Sequence, residues 1–204
     1  MPREQADLYR MLRSRGFLAE VVMEPIRLIE PFELTQEERH HFATYEDLPA
    51  SALDRLAKQA HRNDAIVGAI ANAPERSILV FANSVDHAVA LTARLSLLGI
   101  RARAVSAETD RSARRDAVAA FRNGEIRVVC NAAVFTSGFD APGVEMILIS
   151  RPVFSPVRFM QMVGRGLRGP RNGSTAKCRI VTVRDNIDIY QGRDPLDWGR
   201  RYYE

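Results

Sequence analysis

From residue 77 onward, short apolar runs alternate with stretches whose apolar positions recur at helical spacing. Ile78-Leu79-Val80-Phe81 reads as a buried strand. The stretch 84–98 places Ala88, Leu91, Leu95 and Leu98 on one face, with Gly99 as a stop, which is the pattern of an amphipathic helix. Residues 101–105 read as a second strand. Residues 110–122 read as a helix with Ala113, Ala117 and Phe121 inward, closed by Asn123-Gly124. Three further strands are expected at 126–130, 144–149 and 178–183. Strands separated by helices imply parallel pairing through right-handed crossovers, with both sheet faces covered. The expected fold is therefore α/β, an open doubly wound parallel sheet.

The first 75 residues are less regular. Residues 3–15 read as a helix stopped by Gly16, and 17–29 hold a strand candidate interrupted by Pro25. The polar stretch 33–46 reads as a linker. Residues 51–60 and 64–72 read as helices, the second ended by Pro74.

The most distinctive run is Gln161-Met162-Val163-Gly164-Arg165-Gly166-Leu167-Arg168-Gly169. Ser155 can cap a helix and Pro156 suits its first turn. Carried through residue 168, that helix would align Arg158, Gln161, Arg165 and Arg168 in one polar stripe, with Phe159, Met160, Val163 and Leu167 facing a core. Gly164 and Gly166 each cost a helix about 1 kcal/mol relative to alanine, so a close neighbour must require the missing side chains. Two guanidiniums beside a close backbone approach suit a phosphate chain. Gly164, Gly166 and Gly169 also spell GxGxxG, but that fingerprint needs a strand before it and a helix after it. Here a helical pattern precedes and the loop Pro170-Arg171-Asn172-Gly173 follows, which excludes a dinucleotide site.

Composition narrows the chemistry. The chain of 204 residues carries a net charge of +4, and all of its 29 basic residues except Lys58 and Lys177 are arginine. A mild basic bias permits polyanion binding. Neither lysine follows a glycine, so the chain contains no Walker A loop. Cys130 and Cys178 sit in apolar runs without CxxC spacing and are expected as buried free thiols. His40, His41, His61 and His87 form no metal-ligand spacing, so no metal is expected on these residues. No apolar run reaches bilayer length and no signal-peptide pattern opens the chain, which is the expectation for a cytoplasmic protein without membrane contact.

In open α/β sheets ligands gather at the carboxyl ends of strands. The loop after Phe81 carries Asn83 and Ser84 at a helix N-terminus, where phosphate oxygens bind readily, although capping alone would explain Ser84. The loop after Cys130 reads NAAVFTSGFDAP, residues 131–142, with Gly138 permitting close approach and Asp140 beside the fixed turn of Pro142. Arg114 lies on the helix after Thr109-Asp110.

Together ILVFANS (78–84), the Arg114 helix, NAAVFTSGFDAP (131–142) and QMVGRGLRG (161–169) resemble the ordered motifs of the second RecA-like lobe of superfamily 2 helicases. With ISRPVFSP before the last motif, the wording is most similar to the DEAD/DEAH-box and type III restriction-like branch. The resemblance implies ATP with Mg²⁺ bound between two lobes, the first bringing the Walker A loop and the acidic motif. It implies that Arg168 is the arginine finger, Arg165 a neighbouring γ-phosphate contact and Gln161 a coupling residue. Gly138 and Asp140 resemble the nucleotide-sensing loop. Ser84 and Arg114, with Asn83 and Asn131, resemble the positions that meet the nucleic-acid backbone, DNA in preference to RNA. Where many relatives carry threonine this chain has Ala132, leaving Asn131 as the substitute. The expected organisation is an interlobe connector with leading helices and strand over 1–75, the lobe over 76–190, and a tail over 191–204. Trp198, Tyr202 and Tyr203 would dock that tail on another domain or on this lobe. The expected function is one lobe of an ATP-driven helicase or translocase, inactive without its partner lobe. The alternative is a non-catalytic nucleic-acid or protein-binding module derived from such a lobe.

Overall fold

The computed structural model describes residues 3–132, 143–190, 197 and 203. In chain order the elements are α1 (Arg3–Ser14), β1 (Glu20–Pro31), α2 (Gln36–Tyr45), α3 (Ala50–Ala57), α4 (Ala60–Ala71), β2 (Ile78–Ala82), α5 (Val85–Leu97), β3 (Ala102–Ser106), α6 (Arg111–Arg122), β4 (Val128–Ala132), β5 (Met146–Ile149), α7 (Pro156–Val163) and β6 (Lys177–Asn186). The strands form one sheet in the order β1-β6-β5-β2-β4-β3, and every neighbouring pair is parallel. This is the doubly wound sheet that the apolar runs predict.

Alternation within each strand divides the interior in two. Leu79, Phe81, Val129, Ile147, Ile149 and Ile180 face one side, where they meet Ala117 and Phe121 of α6 and Phe159, Met162 and Val163 of α7. Ile78, Val80, Val128, Cys130, Met146 and Leu148 face the other, against Ile66 and Ile70 of α4 and Leu91 and Leu95 of α5. A strand buried on both faces must read as a continuous apolar run, which is why β2, β4 and β5 were so legible.

The amino-terminal quarter departs from expectation in two places. Pro25 does not interrupt β1, which runs through it with Pro25 in register with Thr182. Among the described residues β1 lies at the sheet edge and pairs only with β6, and alternation from Glu20, whose N–H donates to Ala176 O, turns the nitrogen of Pro25 away from the ladder, where proline is tolerated. The polar stretch 33–46 is not a linker but contains α2. Thr35 and Glu38 form a capping box: Glu38 N–H donates to Thr35 Oγ1 at 3.2 Å and Thr35 N–H donates to Glu38 Oε2 at 2.9 Å. The buried Glu38 carboxylate also receives Ser51 Oγ at 3.1 Å and Arg55 Nη1 at 2.6 Å. α2 and α3 thereby form a small helical layer over the carboxyl ends of β1, β6 and β5, built on Phe32, Leu34, Leu53, Leu56, Phe154 and Tyr190.

That layer, α4 and the sheet meet at a buried ion pair. Arg62 of α4 is 0% exposed and Asp185 of β6 is 3% exposed. The guanidinium donates from Nε to Asp185 Oδ1 at 2.6 Å and from Nη2 to Oδ2 at 3.1 Å, and also to the Ser150 carbonyl just past β5. The fork geometry satisfies both carboxylate oxygens in a place water cannot reach. Removing one partner leaves a buried uncompensated charge, so Asp185→Ala should lower unfolding free energy by about 3–5 kcal/mol. Urea denaturation measures this, and a loss near that of an exposed ion pair would contradict it.

Candidate functional site

The helix over the arginine motif starts as predicted and stops sooner. Ser155 caps α7, its hydroxyl accepting from Arg158 N–H at 3.4 Å, with Pro156 in the first turn. α7 ends at Val163, and the next turn tightens, with Arg165 N–H donating to Met162 O at 3.3 Å and Gly166 N–H to Val163 O at 2.9 Å. Arg165 and Arg168 therefore lie beyond the helix, and the continuous polar stripe from Arg158 to Arg168 does not form. Arg158 itself pairs with Asp47, which also holds Arg151 at 2.9 Å. Gln161 and Arg168 are exposed and Arg165 is half-buried.

Gly166 and Gly169 are explained from inside the protein, whereas a Cβ on Gly164 would lie 3.0 Å from Met160 O in its own preceding turn. A Cβ on Gly166 would lie 2.3 Å from Cys178 Sγ and 3.0 Å from Ile147 Cδ1. A Cβ on Gly169 would lie 2.5 Å from the Gly16 carbonyl oxygen. The close approach inferred from the sequence is thus to the lobe's own core and backbone, and a phosphate chain is not needed to account for it. Cys178 is buried and free, as expected, and burial pushes its thiol up to about 12; the same cause pushes Cys130 up to about 11.

The loop also lies at an end of the sheet that strand polarity alone does not indicate. α7 starts past the carboxyl end of β5 and runs back, so the 164–169 loop rests beside Cys178 at the start of β6 and Leu18 just before β1. Gly138 and Asp140 lie outside the described residues. Gly143 N–H donates to Ser174 Oγ at 2.9 Å, and Ser174 N–H donates to Gly169 O at 3.3 Å at the end of the arginine loop.

The candidates for nucleic-acid contact gather at the opposite end, on three neighbouring strands. Asn83 and Ser84 follow β2, Asn131 is the last residue but one of β4, and Arg114 reaches the end of β3. Arg114 Nη2 donates to the carbonyls of Ser106 at 3.0 Å, Ala107 at 3.2 Å and Thr109 at 3.4 Å, fixing the turn after β3. Asn83 is buried and its amide donates to Leu53 O at 3.0 Å, so its bonds serve the packing of α3. Asn131 is buried, and among the described residues its Oδ1 has no hydrogen-bond partner. Ser84 caps α5 by accepting from His87 N–H at 3.2 Å. That bond uses a lone pair and leaves the hydroxyl hydrogen available to an outside acceptor, so capping and phosphate binding are compatible.

His87 was not singled out by spacing, yet it sets this turn. Its Nδ1 accepts the Asn83 backbone N–H at 3.1 Å, which makes Nε2 the protonated nitrogen, placed 2.9 Å from Asn63 Oδ1. Burial, reinforced by the Arg62 charge, lowers its pKa to about 3. A lone histidine on a helix gives no sequence signal for such a role. Arg62, Asn63 and Asp185 were equally invisible because their partners lie far along the chain.

The helicase conserved C-terminal domain family matches residues 57–169. The chain belongs to that family, whose second RecA-like lobe its motifs resemble. It is 30% identical over 143 residues to "Putative ATP-dependent helicase IRC3" of Saccharomyces cerevisiae, covering 68% of this chain and 20% of that protein. It is 37% identical over 142 residues to "Putative mitochondrial ATP-dependent helicase irc3" of Schizosaccharomyces pombe, covering 66% of this chain and 23% of that protein. The chain thus spans about a fifth of these relatives' length. A more distant match, 28% identical over 119 residues, covering 55% of this chain and 28% of that protein, is to "ATP-dependent RNA helicase DBP8" of Meyerozyma guilliermondii. Among solved structures, the C-terminal domain of the DEAD-box protein Dbp5 superposes with a TM-score of 0.53 at 18% identity, over 62% of this chain and 71% of that one. A DEAD box protein from Methanococcus jannaschii superposes with a TM-score of 0.51 at 18% identity, over 99% of this chain and 47% of that one. These confirm the RecA-like helicase lobe as the fold. Among the described residues no helix is long and apolar enough to cross a membrane.

Two tests follow from this geometry. Gly166→Ala should cost about 1–3 kcal/mol by overpacking. Cys178→Ala should recover much of that loss, because it removes the Sγ and leaves the Cys178 Cβ at 3.4 Å. Additive losses in the double variant would contradict the contact.

Because the His87 pKa is lowered in the fold, the unfolded chain binds the proton more tightly. The stability that His87 contributes is complete above pH 6.5 and declines as pH falls toward 3, by up to about 1.4 kcal/mol per pH unit. His87→Gln should flatten that slope in urea titrations between pH 7 and 4.5. Parallel profiles for the two proteins would refute the assignment.

Proposed function

We propose that this chain is the second lobe of an ATP-dependent nucleic-acid helicase or translocase, acting with a separate first lobe that holds ATP. The observation that carries the reading is the separation of two surfaces. Arg165 and Arg168 sit on a pinned loop at the amino ends of β1 and β6, while Ser84 and Arg114 sit at the carboxyl ends of β2 and β3. One surface can meet nucleotide while the other grips a backbone.

The donor set on the arginine loop fits phosphate. Its cations are guanidiniums, and Arg13, Arg15 and Arg171 lie exposed on the adjoining α1 end and loop. Such a set matches anionic oxygens and offers nothing to a metal, so Mg²⁺ and the Walker A lysine belong to the first lobe. ATP bound there supplies the phosphoryl group for transfer. Arg168 meets the charge that develops on it as the lobes close, Arg165 holds the neighbouring oxygens, and Gln161 couples the lobes. Gly138 and Asp140 are assigned to nucleotide contact by their motif wording alone. An arginine finger contributes about 10³–10⁵ in rate, or roughly 4–7 kcal/mol of barrier. Lysine lacks the rigid fork and would not substitute.

On the other surface Ser84 donates its hydroxyl hydrogen to a backbone phosphate, with Arg114 and Asn131 shaping the adjacent strand ends and Asn83 fixing the turn. Backbone contacts read DNA and RNA alike and make binding salt-sensitive and weakly sequence-selective. The preference for DNA rests on motif wording, and relatives named as RNA helicases make RNA the direct comparison. A cytoplasmic location is part of the same proposal.

In the native two-lobed protein, Arg168→Ala and Arg168→Lys should each lower ATP turnover by about 10³ or more, with nucleic-acid affinity retained. Ser84→Ala should weaken nucleic-acid binding and leave basal ATP turnover near wild type. This chain alone should hydrolyse no ATP. Equal loss of both activities in the Arg168 variants, or turnover by the isolated chain that Arg168→Ala abolishes, would overturn the proposal.

A further inference from the structure

Residues 16–19 lie outside the stretch matched to the helicase family and carry none of its motifs. They nevertheless run antiparallel beside the arginine loop. Ala19 N–H donates to Leu167 O at 2.8 Å, Gly169 N–H donates to Phe17 O at 2.9 Å, and Arg171 N–H donates to Gly16 O at 3.0 Å. Leu18 and Arg168 form the bridge pair between them. Asn172 Nδ2 adds a second donor to Phe17 O at 2.8 Å, and the Arg171 guanidinium stacks 5.1 Å from the Phe17 ring centroid.

The segment is itself firmly held. Gly16 N–H donates to Arg13 O and Phe17 N–H to Leu12 O, each at 2.9 Å, which closes the end of α1. Ala19 is fully buried and its carbonyl accepts from Tyr9 Oη at 3.0 Å. Tyr9 in turn packs edge-on against Tyr203, 5.1 Å between ring centroids. Beyond Ala19 the chain enters β1 in register with β6.

The two backbone bonds that bracket Arg168 both go to this segment. α7 cannot supply them, since its last tightened turn ends at Gly166. The contact is backbone against backbone, which accounts for Gly169: its φ of −88° is open to any residue, but a Cβ there would lie 2.5 Å from Gly16 O and 2.8 Å from Leu18 N and C.

We propose that residues 16–19 are a positioning rail for the arginine loop, setting where Arg168 stands relative to the sheet. The rail touches no nucleotide and acts only through Arg168, so the inference rests on the arginine-finger reading above. A displacement of about 1 Å at a catalytic group can cost about 100-fold in rate.

The test uses the native two-lobed protein, with kcat and KM for ATP, nucleic-acid affinity and thermal melting measured for Arg168→Ala, Gly169→Ala and Asn172→Ala. Gly169→Ala should lower kcat by about 100-fold, with KM little changed and nucleic-acid affinity at the wild-type value. Asn172→Ala, which removes one exposed bond to the rail, should lower kcat in the same direction by less, at wild-type melting temperature. If Gly169→Ala fails to fold, Asn172→Ala decides alone. Wild-type kcat in the folded rail variants, with Arg168→Ala inactive, would overturn the rail and leave the finger standing. Wild-type kcat in Arg168→Ala would overturn the finger, and the rail with it.

Discussion

The buried Arg62–Asp185 pair is the interaction on which the carboxyl end of this sheet depends. Taking both charges out of water costs several kcal/mol per ion, which close charge-assisted hydrogen bonds must offset. Here Nε and Nη2 of the guanidinium take both carboxylate oxygens and the Ser150 carbonyl, while Nη1 has no partner among the described residues. Ser150 Oγ in turn donates to Phe81 O at 3.0 Å, and the next residues of β2 lead to Asn83, His87 and the Ser84 turn. The ion pair therefore ties α4 to β6 and to Ser150, and Ser150 carries the connection on to β2, whose end leads into the Ser84 turn.

That network also fills the place where a doubly wound sheet usually takes its ligand. The strand order reverses between β5 and β2, and a crevice at such a switch point is the ordinary binding site. In this lobe Asn83, Ser150 and Arg62 occupy it, and α3 closes over it through the Leu53 carbonyl. In the proposed function the chemistry lies to either side: nucleic acid at the β2, β4 and β3 ends, and nucleotide at the arginine loop on the opposite end of the sheet. α7 connects the two, being anchored near the carboxyl ends by Asp47 and delivering the loop to the amino ends. Such a packed element is the kind of contiguous body through which two sites can be coupled.

The sequence carried most of the sheet because strands buried on both faces leave uninterrupted apolar runs, as in Ile78–Ala82 and Met146–Ile149. It carried less where geometry overrides composition. Thr35 and Glu38 spelled a capping box inside a stretch whose polarity read as linker, and Pro25 read as a break because edge position is not visible in one strand alone. In the arginine motif the residues were legible and their placement was not. Gly166 signalled a close approach, but only folding shows that Cys178 is what approaches, and that Gly169 meets the Gly16 carbonyl. Arg62, Asp185 and His87 left no trace, since each is an ordinary residue until its distant partners arrive.

The most direct test is a structure of this lobe joined to the proposed ATP-holding lobe, with a transition-state mimic of phosphoryl transfer and a single strand of nucleic acid bound. The account predicts the Arg168 guanidinium on the mimic's equatorial oxygens or fluorides, and a backbone phosphate within hydrogen-bond distance of Ser84 Oγ at the other end of the sheet. Nucleotide bound beside Ser84, or Arg168 turned away from a closed and occupied cleft, would contradict it.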